Sequence, residues 1–85
     1  MVLKGENTIV EVKYWTRDFA LSAEGQGRLF QQLGKYQAQG KQIILEMFQT
    51  QTNALSVQDW EGLRSWLVSQ GIQLSDLSQL LPPMQ

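Results

Sequence analysis

Two side chains that carry much of enzyme chemistry are absent from this sequence of 85 residues, which has no cysteine and no histidine. Without cysteine there are neither disulfide bonds nor thiolate metal sites, so a disulfide-stabilised secreted scaffold is excluded. Without histidine, catalytic triads and metal sites that depend on imidazole are excluded as well. Any catalysis must therefore use carboxylate, amine, guanidinium, phenol or hydroxyl groups.

Long apolar segments and a strong net charge are lacking too. No apolar run is long enough to cross a bilayer, and the N-terminus has no hydrophobic signal-peptide core. The formal net charge of −1 argues against a broad basic surface for nucleic acid, although a local basic patch remains compatible with it. We therefore expect a cytoplasmic protein with no membrane partner.

Apolar residues are present in sufficient number for one core. They make up 42% of the chain and include three Trp and three Phe. In a chain of this length such a core is thin, and it predicts a single small domain over residues 1–85.

The segment TIVEVKYW, residues 8–15, combines apolar residues with two charges. Its β-branched and aromatic side chains favour a strand. Residues 5–7 favour a turn, so the apolar residues 1–4 and this strand predict a β-hairpin with a short first arm. Because side chains alternate along a strand, Glu11 and Lys13 point to the same side.

Helical periodicity follows this strand. Apolar spacing predicts a helix over about residues 22–39 with Ser22 as its N-cap, and Gly40 suits its C-terminal end. The apolar run within QIILEMFQT predicts a second strand over residues 42–50. A strand, a helix and a strand with short connections favour a parallel pair of strands.

A second helix is predicted over about residues 57–70, capped by Ser56 or Asn53 and ended by Gly71. Beyond it, residues 72–74 are expected to be extended, and Ser75 is expected to cap one last turn through Leu80. The predicted fold class is therefore α/β, with a small mixed sheet of the N-terminal hairpin and strand 42–50, and both helices packed on it.

Glu11 and Lys13 are the candidate chemical groups. In an α/β sheet, ligands bind where the strands end, because the loops there leave a crevice. A carboxylate in that place can hold a hard divalent cation, which activates a bound water. A neighbouring ammonium can orient the water or stabilise charge on a phosphoryl group. The alternative is a surface ion pair on a solvated face, worth about 0–1 kcal/mol.

IVEVKYW resembles the (D/E)xK half of the PD-(D/E)xK nucleases, the restriction-endonuclease-like superfamily, since a helix and a strand follow it in the family's order. Gln32 and Tyr36, in QLGKY, resemble the QxxxY motif of the RecB-like branch and share a helix face at i and i+4. The resemblance covers about residues 1–50, a partial nuclease-like core, and leaves residues 51–85 as a C-terminal helical extension.

The resemblance implies metal-dependent hydrolysis of DNA phosphodiester bonds. Mg²⁺ or Mn²⁺ would be held by Glu11, Lys13 would orient water or stabilise charge, and Gln32 with Tyr36 would complete the catalytic group. Arg28 and Lys35 lie on the same helix flank and would contact the phosphate backbone of DNA, unless they belong only to a solvated helix face.

The sequence also departs from the family. The Asp of the Pro-Asp motif normally lies on the preceding strand, but counting back from Glu11 reaches Met1 and no Pro-Asp is present. The family's first helix and first strand have no counterpart either. Three interpretations follow: part of a nuclease domain with an upstream nuclease segment as partner, a fold completed by a second copy in a homodimer, or a degenerate relative. The last makes the chain a non-catalytic interaction or structural module.

Overall fold

A computed structural model describes residues 2–3 and 7–83 of the chain. Along these residues the order of elements is β1 (Val2–Leu3), β2 (Thr8–Tyr14), α1 (Arg17–Ala20), α2 (Ala23–Ala38), β3 (Gln42–Phe48), α3 (Val57–Ser69) and β4 (Gln79–Leu81). The turn predicted at residues 5–7 lies outside the described residues except for Asn7.

The strands form one sheet in the order β1-β2-β3-β4. β1 runs antiparallel to β2, whereas β2, β3 and β4 are mutually parallel. The predicted α/β class, with a small mixed sheet built from an N-terminal hairpin and the strand that follows the first helix, is confirmed.

The helices cover one face of this sheet. In the parallel pair, Glu11 lies beside Leu45 and Lys13 beside Met47, so these side chains share a face. Leu45 and Met47 belong to the apolar core. Its fully or nearly buried members come from α1, α2, α3, β3 and the loops: Ala20, Leu29, Leu33, Ile43, Leu45, Met47, Leu55, Trp60, Leu63, Leu67 and Ile72. Glu11 and Lys13 therefore point into the helical layer.

The helix ends follow the predicted capping residues. The Ser22 side chain accepts a hydrogen bond from the Gly25 amide at the start of α2. Ser56, and not Asn53, caps α3, and with Asp59 it forms a reciprocal capping box. Gly71 follows α3 at a φ of +92°, a left-handed conformation that glycine adopts without strain.

Two elements differ from the sequence-based expectation. The connector after β2 contains the short helix α1, where the Thr16 side chain accepts a hydrogen bond from the Phe19 amide. The turn expected from Ser75 through Leu80 is present at its start, where the Leu77 amide donates to the Ser75 hydroxyl and the Ser78 amide donates to the Ser75 carbonyl. The expectation was wrong at its end, because residues 79–81 pair with β3 as the strand β4. Strand pairing of this kind depends on the exposed backbone of β3, which no local pattern around residue 79 reveals.

The part of the chain after residue 50 shares the core with the part before it. Leu55, Trp60 and Leu67 belong to the same buried cluster as Leu29 and Leu45. This segment also adds a strand to the sheet, so it is more than a helical extension in structure. Across the described residues, no helix combines the length and the hydrophobicity that spanning a bilayer requires.

Candidate active site

Glu11 and Lys13 form a close, largely buried ion pair on β2. The Lys13 Nζ lies 3.4 Å from Glu11 Oε1. The Lys13 side chain is only 14% exposed and the Glu11 side chain only 7% exposed. The alternative of an ion pair on a solvated face is therefore excluded. Taking two charges out of water costs several kcal/mol per ion, and the mutual attraction offsets this only partly, so a burial of this kind is poorly explained by stability alone.

The second carboxylate oxygen of Glu11 has no donor beside it. Glu11 Oε2 is buried and has no hydrogen-bond partner. A buried polar atom without a partner costs about 1–3 kcal/mol, and more when it is charged. Such an atom in a folded protein calls for a ligand, an ion or an ordered water to satisfy it.

Gln32 on α2 carries a second atom of the same kind. Its Oε1 is also buried without a hydrogen-bond partner. Gln32 lies at the edge of the buried stripe of α2, which is centred on Leu29 and Leu33. Among the described side chains, the two buried nitrogen or oxygen atoms without partners are thus both oxygens, and both belong to residues that the sequence motifs had selected.

The pKa of Tyr36 on α2 responds to burial and to the charge of Glu11 on β2. Burial is the main cause that raises the pKa of Tyr36 above its ordinary value of 10.0, and the negative charge of Glu11 raises it further. The phenol therefore lies within electrostatic reach of the Glu11 carboxylate. Gln32 precedes Tyr36 by one helical turn, so the two side chains lie on the same flank of α2.

Aromatic rings border this group on one side. The Lys13 ammonium lies 5.1 Å from the centre of the Trp15 ring, and Trp15 meets Phe19 edge to face with ring centres 4.7 Å apart. Sequence reasoning did not place Trp15 in the site, although the alternation of side chains at residues 11, 13 and 15 was a usable signal. Phe19 had no such signal, because α1 was not predicted.

The two residues predicted to contact nucleic acid lie on the outer part of the α2 flank. Arg28 is one turn before Gln32, and its side chain is 61% exposed. Its guanidinium lies 3.3 Å from Glu24 Oε1 and 5.8 Å from the centre of the Phe19 ring. Lys35 is exposed on the following turn. Both cations are thus open to solvent and are separate from the buried group.

The oxygen atoms present fit a hard divalent cation in part. Glu11 Oε2 and Gln32 Oε1 are ligands of the type that Mg²⁺ accepts, and Mg²⁺ commonly takes its other ligands from water and substrate phosphates. Over the described part of the chain, no three Asp or Glu residues are grouped so that they could hold a metal ion. About ten residues before Glu11, where the resemblance expects a further acidic residue, the sequence has Met1.

Glu46, the other carboxylate within a strand, does not join the site. It lies beside Val12 in the parallel register, so it points to the face of the sheet opposite Glu11. The structure thus pairs Glu11 with Lys13 beside the Trp15 ring and places Tyr36 within the electrostatic influence of Glu11. Gln32 shares a flank of α2 with Tyr36.

No protein-family model matches this chain, and neither the curated proteins nor the solved structures contain a significant match to it.

Proposed function

We propose that this chain is a nuclease-type domain of the PD-(D/E)xK kind that supports metal-dependent hydrolysis of DNA phosphodiester bonds in the cytoplasm. One observation carries the proposal: Glu11 Oε2 and Gln32 Oε1 are buried acceptors without donors, and the Lys13 ammonium lies 3.4 Å from the other carboxylate oxygen of Glu11. Such a cluster suits a cation and a phosphate better than it suits a packed core.

Glu11 and Gln32 have the role of metal ligands in this proposal. Both offer oxygen atoms that no protein donor occupies. When bound, Mg²⁺ or Mn²⁺ supplies charge neutralisation at a phosphate oxygen and lowers the pKa of a water molecule. The burial of both oxygens keeps competing solvent away, which strengthens their interaction with a cation.

Lys13 orients the reacting groups. Its ammonium is held between the Glu11 carboxylate at 3.4 Å and the Trp15 ring at 5.1 Å, so its position is fixed before substrate arrives. An ammonium has three donors, of which Glu11 occupies one, and the others can bind a phosphate oxygen or the attacking water. The phenol of Tyr36 is protonated at neutral pH and can donate a hydrogen bond in this site.

Arg28 and Lys35 extend the positive charge along the exposed flank of α2. In the proposal they contact the DNA backbone away from the scissile phosphate and fix the position of the strand without reading its sequence. Their contribution is therefore to binding, and it weakens as the salt concentration rises.

Cleavage assays with Mg²⁺ or Mn²⁺ on single-stranded and double-stranded DNA test the proposal. Glu11→Gln keeps the shape of the side chain and removes its charge, and we expect it to lower cleavage by about 100-fold or more. Lys13→Ala should have a comparable effect. Glu46→Gln, the same change on the opposite face of the sheet, is the matched control and should leave cleavage unchanged.

Titration of the protein with Mn²⁺ alone gives a readout that does not depend on activity. We expect binding by the wild type and weaker binding by both Glu11→Gln and Gln32→Leu. Cleavage that is unchanged in Glu11→Gln and in Lys13→Ala would remove these residues from the site.

A second candidate is a non-catalytic interaction or structural module, dimeric or with another partner, derived from the same fold. The observation in its favour is that Glu11 has no grouped Asp or Glu partners among the described residues. Sedimentation of the wild type distinguishes a homodimer from a monomer. Binding of Mn²⁺ without DNA cleavage in any assay would favour this candidate over the nuclease.

A further inference from the structure

Within residues 2–3 and 7–83, no helix lies over one face of the sheet. Strands β2, β3 and β4 are parallel, and parallel sheets are almost always covered on both faces. Helices α2 and α3 contribute to the core on the Leu45 side only. The strand residues on the other side, which we call the open face, are Val10, Val12, Tyr14, Ile44, Glu46, Phe48, Gln79 and Leu81.

The open face is apolar and partly accessible. Val12 is 38% exposed and Tyr14, at the end of β2, is 43% exposed, although strands of parallel sheets are usually covered on both faces. Beside Val10 and Ile44 the open face continues into a groove of about 280 Å³. Val10 and Ile44 line this groove, and Leu77, which is 65% exposed, lies at its rim.

The charged side chain of the open face is a carboxylate, that of Glu46. Glu46 lies in the middle of the open face, between Val12 on β2 and Gln79 on β4. Asp76 also lines the groove, but the Arg64 guanidinium lies 3.8 Å from its carboxylate, so among the described carboxylates of the face and groove only Glu46 has no ion-pair partner. An apolar partner that covers the face must therefore supply a positive charge, because a carboxylate buried without a partner is strongly destabilising.

A second copy of the chain meets this requirement poorly. A face-to-face homodimer has two-fold symmetry, so the same surface lies on both sides of the contact. Such a contact would bury the Glu46 carboxylates of both copies in one interface, and the described strand residues of the open face include no Lys or Arg to pair with them. Like charges in a desolvated interface are unfavourable.

We propose that the open face binds an amphipathic α-helix of a partner protein, whose apolar stripe carries one Lys or Arg that pairs with Glu46. A helix is the element that covers the second face of parallel sheets, and its apolar stripe matches the row of Val12, Tyr14 and Phe48. The bound helix forms a third layer. The inference is independent of the proposed nuclease function, since Glu11 lies on the opposite face.

Two synthetic helical peptides of about 18 residues, long enough to span the sheet, serve as probes. Both carry the same leucine stripe on an otherwise neutral helix, and they differ at one central position of the stripe, which is Lys in one and Glu in the other. Fluorescence anisotropy with the whole chain measures their affinities. We expect the Lys peptide to bind at least about tenfold more tightly than the Glu peptide.

Variants of the protein assign this preference to Glu46. Glu46→Lys should reverse the preference, and Glu46→Gln, which preserves the side-chain shape, should make the two peptides equal. Glu61→Lys changes the net charge by the same amount at an exposed position of α3 and should keep the wild-type preference. Circular dichroism confirms that each variant is folded.

Three results would overturn the proposal. Equal binding of both peptides to the wild type, or no binding of either, would mean that the face does not select a basic helix. A wild-type dimer that Tyr14→Glu converts to monomers would assign the face to a second copy instead.

Discussion

Gly25 lies where the first turn of α2 passes close to the end of α1. A Cβ atom added at this position would overlap the carbonyl oxygen of Phe19 and lie 2.9 Å from its carbonyl carbon. We predict that Gly25→Ala lowers the free energy of unfolding by about 1–3 kcal/mol, although alanine is the better helix former. Chemical denaturation measures the change.

Gly27, on the same helix, is the matched control. Nothing lies within 4 Å of a Cβ built at this position. Gly27→Ala should therefore raise the free energy of unfolding by up to about 1 kcal/mol, the ordinary gain in helix propensity. If both alanine variants are more stable than the wild type, the close approach of Phe19 to α2 is incorrect.

Tyr36 reports on the site through its titration. Burial first, and the charge of Glu11 second, raise the pKa of its phenol above 10.0. We predict that Glu11→Gln lowers this pKa, because it removes the nearby negative charge. Ultraviolet absorbance of the phenolate follows the titration, and a Tyr14→Phe background leaves Tyr36 as the tyrosine observed.

The same shift gives a pH dependence of stability. A raised folded pKa means that the folded protein holds the phenol proton more tightly than the unfolded chain does. This contribution to stability is therefore present below about pH 10 and is lost as the pH rises through the folded pKa.

Glu46→Gln, on the other face of the sheet, is the control for the Glu11→Gln titration and should leave the pKa of Tyr36 unchanged. A Glu11→Gln titration identical to that of the wild type would separate Tyr36 from the site.

At the scale of elements, the backbone pairing between β3 and the segment that ends in β4 is interrupted. Leu74 forms a single bridge to Ile43, and regular pairing with β3 begins again only at Gln79. Between these points the Leu45 amide donates to the Ser78 side-chain oxygen at 2.9 Å, in a buried position. The hydroxyl thus takes the place of a backbone acceptor in the ladder.

Ser78→Ala should therefore leave the Leu45 amide buried without an acceptor. We predict a loss of about 1–3 kcal/mol in the free energy of unfolding. Hydrogen exchange should also speed up at Leu45 itself. Ser65→Ala, an exposed serine on α3, serves as the control and should change stability by less than about 0.5 kcal/mol. A Ser78→Ala protein as stable as this control would show that the hydroxyl is not needed.

At the scale of the whole molecule, the core joins both halves of the chain. Leu67 on α3 is fully buried in the same cluster as Leu29 on α2 and Leu45 on β3. We predict that Leu67→Ala lowers the free energy of unfolding by about 2–5 kcal/mol. Thermal unfolding followed by far-ultraviolet circular dichroism and by tryptophan fluorescence should shift together, as in a two-state domain.

Val68, the next residue on α3, provides the control because it is 55% exposed. Val68→Ala should change stability by less than about 0.5 kcal/mol. Two separate transitions, with only one of them shifted by Leu67→Ala, would mean that residues 51–83 fold independently of the N-terminal part.

The sequence by itself determined the elements whose information is local. β2, α2, β3 and α3 were predicted from hydrophobic period and from capping residues such as Ser22, because both act over one or two turns of chain. Alternation along β2 also placed Glu11 and Lys13 on one side of the strand.

The tertiary structure alone decided whether the side of β2 that carries Glu11 and Lys13 faces the helices or solvent. Alternation gives two equivalent faces, and only the packing of α2 on the sheet made the face of Glu11 the buried one. The same packing brought Tyr36 within reach of Glu11 and left Glu46 on the open face. β4 was likewise undecidable from residues 79–81, because its hydrogen-bond partner is a strand more than 30 residues earlier.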